Sequence, residues 1–142
     1  MSTNNPHQGK KILVVDDEPH IVRVVALKMQ NAGFVVETAA DGEEAYETAI
    51  EFNPDIVITD FTMPFMTGLD LSITLKRDQR TAAIPVIMLT ARGYGLSKDD
   101  LAKTNIKTVM SKPFGPRDLL ATVIATLGGD QSNAELPGAK AA

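Results

Sequence analysis

The sequence predicts an α/β fold, a doubly wound five-stranded parallel sheet in the order 2-1-3-4-5 with helices on both faces. Three observations lead there. The apolar runs Ile12 to Val15, Ile56 to Ile58 and Val86 to Leu89 are continuous rather than alternating, as strands covered on both faces are. Helical patterns fall between the runs, so the chain reads as β-α repeated five times. Two further strand candidates, Phe34 to Thr38 and Thr108 to Met110, are less uniformly apolar, with Glu37 in one and Lys107 leading into the other, and so belong at the edges. Right-handed crossovers then leave the order 2-1-3-4-5.

The first helix is expected near Pro19 to Asn31, with Ile21, Val24, Val25 and Leu27 as its apolar set and Gly33 after its end. A second, short helix begins after Asp41, where Glu44 three positions on forms a variant capping box and Ala45 with Ala49 makes a narrow buried stripe. The third follows Gly68 with Leu69 and Ile73. The last opens at Pro116 and carries Leu119, Leu120, Val123 and Leu127 at helical spacing. Within Ser97 to Lys103 the fourth helix has only Leu101 and Ala102 to bury, so it is the weakest. Residues 10–128 form the folded unit. The polar segment 1–9 and the Gly- and Ala-rich segment 129–142 read as tails.

Composition narrows the chemistry. The 142 residues suit one domain with one core, and 44% hydrophobic with 23% charged residues is an ordinary globular mixture. Without cysteine there is no disulfide, thiolate metal site or cysteine nucleophile, and two histidines leave any metal held mainly by oxygen. A net charge of -4 argues against direct binding of nucleic acid. No segment has the length of apolar sequence that spans a bilayer, and the first nine residues lack the apolar centre of a secretory signal, so the cytoplasm is the expected location.

In a sheet of this order, ligands bind beyond the carboxyl ends of the strands where the order reverses, between the first and third. Asp16 and Asp17 end the first strand and Asp60 ends the third, so three carboxylates meet there. Any one of them alone is as readily a helix or turn cap. Together their repulsion calls for a cation, and an oxygen-only set with exchangeable water suits Mg²⁺ better than Zn²⁺. Thr90 ends the fourth strand and Lys112 follows the fifth, a hydroxyl donor and an ammonium that can hold the oxygens of an anion gained by a carboxylate.

The ordered set Asp16-Asp17, Asp60 with Met63-Pro64 and Gly68, Thr90-Ala91, and Lys112-Pro113-Phe114 resembles the signature of response-regulator receiver domains over roughly Lys10 to Leu127. That family has the flavodoxin-like three-layer fold and this strand order, so topology and motif are not independent lines. The resemblance implies that Asp60 accepts a phosphoryl group from a sensor histidine kinase or histidine phosphotransfer protein. Asp17, Asp60 and the Thr62 carbonyl would bind Mg²⁺, with Asp16 assisting through water. Thr90 and Lys112 would grip the phosphoryl oxygens, the Lys112-Pro113 bond would be cis, and the face near the fourth helix and fifth strand would pass the signal to a downstream protein.

The chain also departs from that pattern. Three positions before Lys112, where the family usually has Tyr or Phe, stands Val109, and the preceding 105–108 lacks the frequent Gly-Ala-x-Asp. Tyr94, among glycines after Thr90, is a candidate substitute for the missing aromatic, set against an ordinary exposed loop tyrosine. Thr62 and Arg92, at the positions that tune acyl-phosphate lifetime in the family, supply no acid or amide to orient water, which implies slow hydrolysis. Rival readings are a receiver that binds protein without phosphorylation, an aspartate-nucleophile phosphatase, and a nucleotide or flavin fold. The phosphatase lacks a second acid two residues after Asp60, and the nucleotide fold lacks a glycine-rich loop after the first strand.

Overall fold

A computed structural model describes residues 6–91 and 96–128. Five β-α units run in order: β1 Lys11–Val15, α1 Pro19–Asn31, β2 Val35–Ala39, α2 Gly42–Phe52, β3 Ile56–Asp60, α3 Gly68–Arg77, β4 Val86–Thr90, α4 Lys98–Ala102, β5 Ile106–Ser111 and α5 Pro116–Leu127. All strand pairs are parallel, and the sheet order is β2-β1-β3-β4-β5.

The continuous apolar runs have a direct physical reason. Side chains alternate across a strand, so Ile12, Val14, Ile58, Ile87 and Leu89 face one helical layer while Leu13, Val15, Val57, Val86 and Met88 face the other. On the first face Val25 and Met29 of α1 and Leu119 and Val123 of α5 close the core. On the second, Ala45 and Ala49 of α2 lie with Leu71 and Leu75 of α3. The result is three layers, with α1 beside α5 and α2 beside α3.

The helix ends follow the sequence closely. Asp41 Oδ1 accepts from Glu44 N–H at 2.8 Å, while Glu44 Oε1 reaches back to Ala40 N–H, one residue earlier than in a regular capping box. Thr67 with Asp70 and Ser97 with Asp100 form complete boxes at α3 and α4. α2 runs 11 residues, longer than its alanine stripe implied, because the half-buried Tyr46 adds packing and its hydroxyl donates to Asp78 Oδ2 at 2.7 Å just past α3. Asp78 also receives Arg80, whose hydrogen bonds hold its carboxyl well below the usual carboxylate range. α4 has five residues and buries none of them.

Three local features differ from the pattern. In α1 the buried side chains are Val25 and Met29, whereas Val24 and Leu27 are 40% and 56% exposed; the apolar stripe is rotated from the one the leucine suggested. β5 begins at Ile106 rather than Thr108, and a register shift opposite Val86/Ile87 accommodates Lys107. Either side of this bulge, Ile106 joins the α2–α3 face and Met110 the α1–α5 face. Pro6 to Gly9, inside the expected N-terminal tail, form a turn in which Gly9 N–H donates to the Gly33 carbonyl at 2.8 Å. The rest of both expected tails, Arg92 and Tyr94 lie outside the described residues.

Truncation in α1 separates the two apolar sets. Met29→Ala is expected to lower stability by about 2 to 4 kcal/mol and Leu27→Ala by about 0.5 kcal/mol or less, read from urea unfolding midpoints.

Candidate functional site

The sheet order places the ends of β1 and β3 side by side, and the acids sit there. Asp60 is the last residue of β3, and Asp16 and Asp17 follow β1; one carboxylate oxygen from each lies within 4.8 Å of the others. Asp16 and Asp60 are buried, with 3% and 4% exposure, while Asp17 is open to solvent.

Lys112 enters from the turn after β5. Its N–H donates to the Thr90 carbonyl at 2.8 Å, which fixes its backbone to the end of β4. Its Nζ lies 2.5 Å from Asp60 Oδ1 and 3.9 Å from Asp16 Oδ2. Burial works to lower the pKa of this ammonium, but the hydrogen bond to Asp60 and the attraction of all three acids outweigh it and leave the value raised. Lys112 therefore stays charged. The Lys112-Pro113 peptide is cis. Thr90 is buried, and its hydroxyl donates to the Ala91 carbonyl at 3.3 Å, a long bond from the mouth of the same crevice.

Asp16 is the least satisfied member. One oxygen accepts the Glu18 N–H at 2.9 Å, and the other, Oδ2, is buried without a hydrogen-bond partner. Burial, with repulsion from Asp60 and Asp17, raises its pKa to about 6 against the lowering effect of the Glu18 bond and Lys112. A buried carboxylate oxygen without a donor, beside two more acids, suits a hard divalent cation: the donor set is all oxygen, and one ammonium does not neutralise three carboxylates. Thr62 lies exposed two residues beyond Asp60.

The β3–α3 loop is held tightly against the acid. Gly68 N–H donates to the Phe61 carbonyl at 2.8 Å, and a methyl group at Gly68 would run into the Asp60 carbonyl and stand 2.7 Å from Met88 Sδ. The motif made Gly68 a marker; this contact supplies its reason, since α3 starts against the backbone of Asp60. Sequence reasoning missed Phe65 in the same loop, which is fully exposed with φ +70°. Nothing in a one-dimensional pattern signals positive φ at a phenylalanine.

An acid cluster with a lysine set into it, at the point where a 2-1-3-4-5 sheet reverses, defines a small α/β protein with a carboxylate pocket that could hold a metal ion. A family model described as the response regulator receiver domain matches residues 12–124, and the chain belongs to that family. It is 36% identical over 119 residues to the phosphate regulon transcriptional regulatory protein PhoB of Pseudomonas aeruginosa, covering 84% of this chain and 52% of that protein. It is 37% identical over 119 residues to the alkaline phosphatase synthesis transcriptional regulatory protein PhoP of Bacillus subtilis, covering 84% and 49%. The chain thus spans about half the length of these curated relatives. Among solved structures, chemotaxis response regulator CheY4 of Vibrio cholerae superposes with a TM-score of 0.74 at 34% identity, over 82% of this chain and 97% of that one.

Two outcomes test this geometry. Asp16 holds its proton more tightly folded than unfolded, so without divalent cation stability falls as pH rises from the unfolded value of 3.8 through about 6. Asp16→Asn is expected to flatten that fall, on the order of 2 kcal/mol, in urea melts across the window, and Mg²⁺ to offset it in the parent chain. Gly68→Ala is expected to cost about 1 to 3 kcal/mol and to shift the amide resonances of Asp60 and Phe61.

Proposed function

We propose that this chain is a phosphorylation switch in which Asp60 accepts a phosphoryl group from the phosphohistidine of a sensor histidine kinase or a histidine phosphotransfer protein. The observation that carries the reading is the Lys112 ammonium lying across Asp60 and Asp16 within a cluster of three carboxylates. An Asp60 oxygen attacks phosphorus, the P–N bond breaks, and the imidazole nitrogen leaves with the electron pair. Asp17, Asp60 and the Thr62 carbonyl would hold Mg²⁺, with Asp16 assisting, and the bound ion would supply positive charge against the phosphoryl oxygens. Lys112 moves its hydrogen bond from the Asp60 carboxylate to a phosphoryl oxygen, and Thr90 turns its long bond away from Ala91 to donate to another. The new charge is then felt in the turn after Thr90, in α4 and in β5, the surface offered to a downstream protein.

On this reading the protein is a switch rather than a turnover enzyme, and its acyl phosphate is long-lived because Thr62 and Arg92 give attacking water no acid or amide. Histidine kinases draw on ATP, so the proposed place of action is the cytoplasm; among the described residues no helix is long and apolar enough to cross a membrane. Direct contact with nucleic acid is not assigned to a segment of net charge -4.

Incubation with Mg²⁺ and acetyl phosphate, followed by intact mass measurement, is expected to add a single phosphoryl group of about 80 Da. Asp60→Asn abolishes the gain, chelation of Mg²⁺ suppresses it, and label on the parent chain persists beyond seconds. No gain under these conditions, or an equal gain in Asp60→Asn, refutes the reading.

A further inference from the structure

The β3–α3 loop holds an aromatic side chain that no apolar cluster of the described residues takes in. Phe65 has a relative accessibility of 104%, the highest among the exposed large hydrophobic residues, and joins neither apolar cluster. Its backbone is strained as well: φ is +70°, and Met66 N–H donates to the Pro64 carbonyl at 2.7 Å. This is a γ-turn of the positive-φ form, the rarer and more strained of the two, with a bulky residue at its apex.

The surrounding loop imposes that conformation. Before the turn, Met63 is buried at 5% exposure. After it, Met66 lies so close to Gly42 at the start of α2 that a methyl group there would clash with it, and Thr67 and Asp70 close the capping box of α3. Gly68 is packed on the Asp60 carbonyl. Strain of this kind persists where neighbouring contacts over-determine it, and it collects at functional positions. Phe65 is thus a fixed aromatic projection, pre-organised for a partner so that little ordering remains to oppose binding.

Its place along the chain identifies the partner. The loop leaves β3 immediately after Asp60, so a protein that brings phosphorus to the Asp60 carboxylate arrives beside the exposed residues of this loop, Phe65 among them. We propose that Phe65 is the docking anchor for the phosphohistidine-bearing donor, inserting into an apolar patch beside the donor's histidine. Aromatic residues are enriched at such interfaces, and well-packed central anchors dominate their energetics. The inference rests on Asp60 being the phosphoacceptor, and it adds that protein donors and small donors differ: acetyl phosphate enters the pocket without touching Phe65.

The test compares the parent chain with Phe65→Asn, which tolerates positive φ and so keeps the turn, and with Phe65→Tyr, which keeps the ring. The donors are acetyl phosphate and a panel of purified histidine-kinase transmitter domains from the organism that encodes the chain, each autophosphorylated with radiolabelled ATP. For the preferred kinase, Phe65→Asn is expected to lower kcat/KM of transfer by about tenfold or more, chiefly through KM, and Phe65→Tyr to restore it. Labelling by acetyl phosphate stays within about twofold in all three, because an intermolecular anchor does not alter the pocket. Unchanged transfer to Phe65→Asn overturns the proposal, as does a panel in which no kinase labels a parent chain that acetyl phosphate does label. If Phe65→Asn alters only self-association in sedimentation, the anchor serves a second copy and the proposal falls. Failure of acetyl phosphate to label the parent chain instead removes the phosphoacceptor reading itself.

Discussion

Confining three carboxylates to one crevice is the constraint around which the molecule is arranged. In water, repulsion among Asp16, Asp17 and Asp60 would be modest, but two of the three are buried and the crevice has low polarisability, so charge there is uncomfortable without compensation. Among the described residues the fold supplies one cation there, Lys112, and fixes its backbone by a hydrogen bond to the end of the neighbouring strand. That leaves, among the described residues, a net negative cavity in which one oxygen of Asp16 accepts no hydrogen bond and has only the 3.9 Å approach of Lys112 Nζ. Such a site has room for a further positive charge, because three carboxylates face one ammonium among the described residues.

Such a pocket needs rigid walls, and the parallel sheet provides them. Each acid is attached to the end of a central strand whose side chains are buried on both faces, so displacing it means disturbing two core layers at once. The bond from Lys112 N–H to the Thr90 carbonyl joins the ends of the fourth and fifth strands at the same edge of the sheet. Strand order decides the meeting: Asp16, Asp17 and Asp60 come together because β1 and β3 are neighbours.

Much of this was legible in the sequence because the fold writes itself in two periodicities. Continuous apolar runs revealed strands covered on both sides, and polar residues closing four of them marked the crevice. What stayed hidden has physical causes. The burial of Met29 in place of Leu27 depends on how α1 is rotated against the sheet, which several nearly equivalent stripes permit. The bulge at Lys107 is one extra residue in an edge strand, invisible until its partner is known. The contact between Gly68 and the Asp60 carbonyl and the positive φ of Phe65 are three-dimensional facts about backbone, to which side-chain pattern is blind.

The bond from Tyr46 to Asp78, with Arg80 clasped to the same carboxylate, ties one helical pair together at a distance in sequence from the acids. On the same face, α4 is a five-residue helix with no fully buried residue, anchored through the half-buried Leu101. The face is therefore unevenly packed: α2 and α3 bury residues and are joined by a side-chain bond, while α4 contributes one half-buried leucine. Little side-chain packing would have to be given up for α4 to shift, whereas a shift of α2 or α3 would open the core.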